Sequence, residues 1–178
     1  MPKIDPKRPF LAVNIAILTV SDTRKAENDK SGNVLEKCIK EAGHTLKGRV
    51  IVSDDLEKII ARLKIWIADP EIDVVIATGG TGVTGRDVTP EAFKSVYEKE
   101  IEGFGELFRM LSYDLIGTST IQSRATGGVA NGTYLFALPG SPGACRDGWN
   151  GILKHQLDSR YRPCNFVELM PRLKESLK

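Results

Sequence analysis

Short apolar runs rich in β-branched residues, alternating with stretches of helical period, constrain this chain more than any other feature. Leu11 to Val20 is the first run, Thr45 to Val52 the second, Ile72 to Ala77 the third and Thr133 to Leu138 the last. Unbroken apolar character, as opposed to strict apolar–polar alternation, marks a strand covered on both faces. Between the second and third runs, Leu56, Ile59, Ile60, Leu63 and Ile67 fall on one side of a helix, so that helix packs on a sheet. Strands alternating with helices pair in parallel and carry helices on both faces. The expected fold class is therefore α/β, a three-layer sandwich with a mostly parallel sheet in the middle. A chain of 178 residues fits one domain, 1–178, that buries enough apolar surface to need no metal or disulfide. Residues 1–10 and about 160–178 read as terminal arms.

Capping signals divide the sequence further. Ser31 reads as the cap of a helix that runs to Ala42 and ends at Gly43. Asp54 reads as the cap of the next helix, with Glu57 three residues later as its capping box. Thr89-Pro90-Glu91 reads as a helix start, with a cap, a proline in the first turn and an acid near the positive end. Gly103 to Leu115 reads as another helix, and Ser141-Pro142 opens a last long one to about Leu157. Glu106 and Arg109, spaced i and i+3, read as an ordinary helical ion pair.

Several function classes drop out. A formal net charge of +2 does not suit a dedicated nucleic-acid binder. Cys38, Cys145 and Cys164 are odd in number, far apart and match no zinc spacing. They read as reduced thiols, buried or partly buried, of a reducing compartment. No apolar stretch is long enough to cross a bilayer, and the N-terminal segment shows no signal-peptide cleavage pattern. A cytoplasmic protein without nucleic-acid or membrane partners is expected. His44 and His155 are isolated, so neither a triad nor a His-rich metal cluster supports ordinary hydrolase chemistry. Trp66 and Trp149 read as core or interface residues.

In an open α/β sheet, ligands bind beyond the carboxyl ends of the strands. Four loops leave strands there: Ser21-Asp22-Thr23-Arg24, Ser53-Asp54-Asp55, Thr78-Gly79-Gly80-Thr81-Gly82 and Pro139-Gly140-Ser141-Pro142. Three glycines in four residues let backbone N–H groups approach a ligand closely, and such nests hold phosphate; a bare strand-to-helix turn is the plain alternative. No Gly-Lys-Ser/Thr follows at P-loop spacing. Gly80-x-Gly82-x-x-Gly85 formally matches a dinucleotide pattern, but the helix start comes only at Thr89, and no acid ends the next strand. Asp87 closes the glycine loop, where an acid serves either Mg²⁺ or the positive end of a helix. Asp54 has its cap role and Asp22 a turn role as plain readings. All three acids nevertheless share one sheet edge, and Arg24 and Arg86 are close enough in sequence to offset phosphate charge.

Five segments taken together resemble a known family. They are Ala16 to Asp22, Thr78 to Gly82, Arg86 to Glu91, Glu102 to Glu106 and Leu138 to Pro142. In this order they are similar to the molybdenum cofactor biosynthesis proteins of the MoaB/MogA family. Phe104 to Ser112, Gly117 to Thr120 and Arg162 to Phe166 look more like its MoaB branch. The resemblance spans about Asn14 to Phe166. It implies the family's α/β fold, a homo-oligomer (trimer or hexamer), and the adenylylation of molybdopterin by Mg-ATP with release of pyrophosphate. It implies Asp87 and Asp54 as the catalytic acids, with Asp87 on Mg²⁺. Thr78, Gly79, Gly80, Thr81 and Gly82 would hold phosphates or the pterin end. Ser21, Asp22, Ser123, Pro139, Gly140 and Ser141 would line the same pocket. Other proteins of the pathway are implied partners. A non-catalytic molybdopterin carrier and, further off, a nucleotide-dependent oxidoreductase stand as alternatives.

Overall fold

The computed structural model describes residues 3–175. Its elements run β1 (Lys3–Ile4), β2 (Asn14–Val20), α1 (Lys30–Glu41), β3 (Thr45–Val52), α2 (Leu56–Ile67), β4 (Val74–Thr78), α3 (Thr89–Val96), β5 (Lys99–Glu100) and α4 (Glu102–Ile116). A 3-10 turn over Gly117–Gln122 then leads to β6 (Thr126–Ala130) and β7 (Thr133–Leu138). The chain closes with α5 (Pro142–Gly148), a π-helical turn over Trp149–Leu153, α6 (Lys154–Gln156), β8 (Tyr161–Arg162) and α7 (Phe166–Leu169).

The main sheet has six strands in the order β3-β2-β4-β7-β6-β5. The four apolar runs form its parallel part, β3-β2-β4-β7. β6 is antiparallel to β7, and β5 to β6, so the sheet is mixed. Residues alternate between its two faces. Ile15, Ile17, Val74 and Ile76 pack with α1, α4 and α5 on one face. Ala16, Leu18, Val75 and Ala77 pack with α2 and α3 on the other. Each fully buried aliphatic side chain contributes about 1.5–3 kcal/mol.

Helix α4 and the strand at Thr45–Val52 lie where the sequence places them, and Gly43, at φ +85°, ends α1. Several caps differ. Asp29, not Ser31, caps α1, its carboxylate accepting from Gly32 N–H at 2.9 Å, while the Ser31 hydroxyl donates to Gly140 O. Asp55, not Asp54, caps α2 through Lys58 N–H. Glu57 then stands one residue short of the capping-box position. Thr89 is the first residue of α3 and not its cap; its hydroxyl donates to Gly79 O at 2.8 Å. No Glu106–Arg109 pair forms among the described residues, and Arg109 donates to Ala125 O. Cys164 is exposed, against the expectation for all three thiols. Trp66 and Trp149 are core residues. The two arms pair with each other, β1 antiparallel to β8; Met1, Pro2 and residues 176–178 of those arms lie outside the described residues.

Candidate functional site

Strand order sets the place of the site. From β2 the chain crosses to β3 on one side and then returns to β4 on the other. At such a switch the loops leaving the two central strands diverge and a crevice opens. Here Ser21 N–H turns to Val52 O of β3, and Gly79 N–H turns to Leu138 O of β7. The gap between β2 and β4 is lined by Val20 and Ser21 on one side and by Thr78, Gly79 and Gly80 on the other.

The glycines are fixed by geometry. Gly79 sits at φ +103°, and a Cβ there would lie 2.2 Å from Val20 O. Gly80 sits at φ +63°, with Thr89 Oγ1 and Asp54 Oδ1 where a Cβ would need room. A side chain at either position would be strained and would fill the crevice. Gly85 is different: a Cβ there meets nothing within 4 Å. The third glycine of the dinucleotide pattern therefore makes no close helix–strand contact, and that reading loses its structural basis.

Two cavities adjoin at this edge. One, of about 320 Å³, is polar and runs between Ser21, Arg24, Asp29 and Asp54. The other, of about 520 Å³, has an apolar wall of Phe108, Leu115 and Ile116 with Thr81, Gly82, Ser123, Pro139 and Ser141 around it. Gly80, Asp87 and Gly140 line both. All residues expected in the pocket reach one cavity or the other except Asp22. The Asp22 carboxylate accepts from Asp54 N–H at 3.1 Å and from Arg86 Nη2 at 2.5 Å, so Arg86 is tied to an acid and only Arg24 lines the polar cavity. A larger groove, about 630 Å³, lies behind Ser123 and Arg124 among α3, β5 and α4. It contains none of the expected acids, and it holds the Lys94–Glu100 and Arg124–Glu91 ion pairs.

The two acids of the shared edge titrate in opposite directions. Burial pushes the Asp54 carboxyl up, and the Asp22 and Asp87 charges add to that, while Asp22 N–H, 2.8 Å away, opposes it. Burial also works to raise Asp87, but the Thr84 hydroxyl and N–H, the Gly82 N–H and the Arg124 charge outweigh it and hold Asp87 below its ordinary value. Asp87 is thus held as a carboxylate, while Asp54 keeps its proton more tightly than an ordinary aspartate. Among the described residues no group of three or more His, Cys, Asp or Glu stands ready for a metal. Two carboxylates, Asp54 and Asp87, on the wall of the polar cavity are the kind of donor that suits Mg²⁺, which takes few protein ligands and completes its shell with other oxygens and water. Cys145, beneath the loop, donates to the Thr78 hydroxyl at 3.1 Å, and burial lifts its thiol to about 11, too weak an acid for a nucleophile.

Four contributors are absent from the sequence reading. Asp29 is fully buried and joins Thr19, Gly32 and Arg49 at the floor of the polar cavity. Leu115 and Ile116 wall the larger cavity, where the sequence shows only a helix end. Arg124 reaches the glycine loop from the segment before β6, donating to Gly82 O and Asp87 O. Only the position of Asp29, an aspartate directly before the helical run, was there to be read.

Known proteins share this sequence and fold. The family model described as "Probable molybdopterin binding domain" matches residues 16–159. Molybdenum cofactor biosynthesis protein B of Escherichia coli K12 is 52% identical over 157 residues, 88% of this chain and 92% of that protein. A crystal structure of a molybdenum cofactor biosynthesis protein B superposes with a TM-score of 0.85 at 40% identity, covering 94% of this chain and 99% of that one. The tungsten cofactor synthesizing protein MoaB of Pyrococcus furiosus gives a TM-score of 0.73 at 31% identity, covering 98% and 100%. The conserved fold, the matched domain and the level of identity place the chain in molybdenum cofactor biosynthesis, as a member of the MoaB/MogA family on its MoaB branch.

Proposed function

We propose that the chain is a molybdopterin adenylyltransferase. The terminal phosphate oxygen of molybdopterin attacks the α-phosphorus of ATP, a new P–O bond forms, and the bond to pyrophosphate breaks. Such a transfer needs positioned phosphates and charge stabilisation and no covalent nucleophile on the protein. One observation carries the reading: Asp54 and Asp87 line one polar cavity together with Gly79 and Gly80, and Asp87 also lines the adjoining apolar-walled cavity. The apolar wall suits a flat pterin ring, and the glycine edge with Arg24 suits phosphate groups. Asp87 would hold Mg²⁺, with Asp54 as the second acid, and the bound ion supplies neutralisation of phosphate charge.

The chain acts as a homo-oligomer, trimer or hexamer, in the cytoplasm, alongside other proteins of its pathway. Supporting this, α4 presents Met110 and Tyr113 to solvent outside the cavity, apolar surface of the kind that interfaces cover. An exposed free thiol at Cys164 fits a reducing compartment, and among the described residues no helix is long and apolar enough to cross a membrane. A carrier that binds molybdopterin without turnover is the second reading, favoured by a family description that names binding alone.

Pyrophosphate release in the presence of molybdopterin and Mg-ATP tests the choice. Asp87→Ala is expected to lower it by at least ~10²-fold with gel-filtration behaviour unchanged, because Asp87 sits on a surface loop. Unchanged turnover in that variant sinks the role of Asp87. Pterin retained by the wild-type protein without any pyrophosphate selects the carrier. Light scattering that gives a monomer refutes the oligomer.

A further inference from the structure

The segment from Gly82 to Asp87 leaves the body of the protein, with Val83, Thr84, Gly85 and Arg86 all exposed. Two glycines and full solvation give such a loop little reason to hold one shape. Yet Asp87, at its end, must keep a fixed distance from Asp54 if the two are to act on one substrate. Some of the order is internal: Thr84 N–H and hydroxyl both donate to Asp87 Oδ2, and Asp87 N–H donates to Thr84 O. Those bonds shape the loop, and the Arg86–Asp22 pair ties its exposed tip to the turn after β2, but neither fixes its two ends.

The two ends of the loop are held by a residue from another part of the chain. Arg124 Nε donates to Gly82 O at 2.7 Å, and Arg124 Nη2 donates to Asp87 O at 2.6 Å. The remaining terminal nitrogen, Nη1, is paired with Glu91 in the first turn of α3. Arg124 N–H donates to Thr81 O at 3.0 Å. One residue therefore closes on the start of the loop, on its end and on the helix that follows. A guanidinium can do this because its donors are fixed in one plane, and an ammonium cannot span the same three acceptors in fixed geometry. Arg124 itself is set by β6, which begins two residues later.

We propose that Arg124 is a positioning residue of the transfer site: by clamping both ends of the Gly82–Asp87 loop to α3 it holds Asp87 in register with Asp54. The inference rests on the adenylyl-transfer reading for its effect on rate, but its effect on the loop stands independently. Glu91 is part of the device, because it fixes the guanidinium in the orientation that meets both carbonyls.

The test compares wild type, Arg124→Gln, Arg124→Lys and Glu91→Gln by hydrogen exchange of the 82–88 amides and by steady-state transfer with molybdopterin and Mg-ATP. Arg124→Gln is expected to speed exchange in that segment by about tenfold or more, since charge-assisted bonds are lost at both ends. It is expected to lower kcat by about 10²-fold with KM for molybdopterin little changed, the pattern of a misplaced catalytic group. Arg124→Lys keeps the charge without the fork and so restores little of either. Glu91→Gln gives a smaller change in the same direction. Exchange in 82–88 that matches wild type in both Arg124 variants overturns the proposal. If Arg124→Gln fails to fold, Arg124→Lys decides by the same exchange reading. A wild-type protein without transfer activity would undo the proposed reaction, yet the exchange result would still decide whether Arg124 clamps the loop.

Discussion

The parallel strands β2, β4 and β7 and the antiparallel strand β6 are all buried, but different physics holds them. β2, β4 and β7 are filled with branched aliphatic and aromatic side chains, and their polar contacts concentrate at the carboxyl ends. There Asp29 ties three elements together: it caps α1, accepts from Thr19 of β2 at 2.8 Å and pairs with Arg49 of β3 at 2.8 Å. β6 is Thr-Gly-Gly-Val-Ala, with almost no side chain of its own to bury. It is covered from outside instead. Phe104 and Phe136 lie over Gly127, and the Tyr97 ring lies over Gly128. Where side chains fill the sheet, the loops beyond it are free to carry chemistry. Where glycine leaves the strand bare, neighbouring rings supply the core, and the strand serves to aim what precedes it, Ser123 and Arg124.

If that contrast is right, the polar junction is sensitive to charge and the glycine edge only to shape. Asp29→Asn should produce the largest loss of stability, about 3–5 kcal/mol, because it removes the fully buried member of the Asp29–Arg49–Glu36 cluster and leaves the partly buried Arg49 with Glu36 alone. Its pH dependence has a definite sign. Burial works to raise Asp29, but the bonds from Arg49, Gly32 and Thr19 prevail and hold it below its ordinary value. The stabilisation is therefore present above the unfolded-state pKa and disappears as pH falls through the folded-state one. Chemical denaturation of wild type and variant across the acid range should show the two curves converging on acidification; parallel curves would remove Asp29 from the account.

Gly79→Ala comes next, at about 2–4 kcal/mol, since a positive φ and a backbone oxygen both oppose the new Cβ. Gly128→Ala should cost about 1–3 kcal/mol by displacing Tyr97, with no change in that cost between acidic and neutral pH. A pH-dependent cost there would break the contrast between the two regions. The smallest effect belongs to Gly85→Ala, within about 0.5 kcal/mol, although Gly85 belongs to the same glycine-rich segment as Gly79. Thermal or denaturant midpoints of the three alanine variants rank them directly.

The same contrast explains what could be read from sequence. β3 and β7 lie on their expected residues, and β2 and β4 differ from their runs by a few positions, because β-branched runs report burial on two faces without reference to neighbours. β6 left no such signal, since Gly127 and Gly128 count against a strand unless one knows that Phe104, Phe136 and Tyr97 will cover them. The edge pairings of β5, β1 and β8 involve two residues each, too few for any period. At the site, the glycine loop and both acids were legible, but their local roles were not. Asp54 and Asp55 are equivalent as caps in sequence; the bond from Asp22 N–H to Asp54 assigns the cap to Asp55 and leaves Asp54 at the cavity. Arg124 meets the glycine loop only through backbone carbonyls of residues about forty positions earlier, which no side-chain pattern encodes.

The most direct test of the central claim is mass spectrometry of the small molecules formed when the pure protein is incubated with molybdopterin and Mg-ATP. Adenylylated molybdopterin and pyrophosphate in equal amounts, both absent with Asp87→Ala, are the predicted result. Molybdopterin recovered unchanged, still bound to a folded wild-type protein, would contradict transfer and leave a carrier.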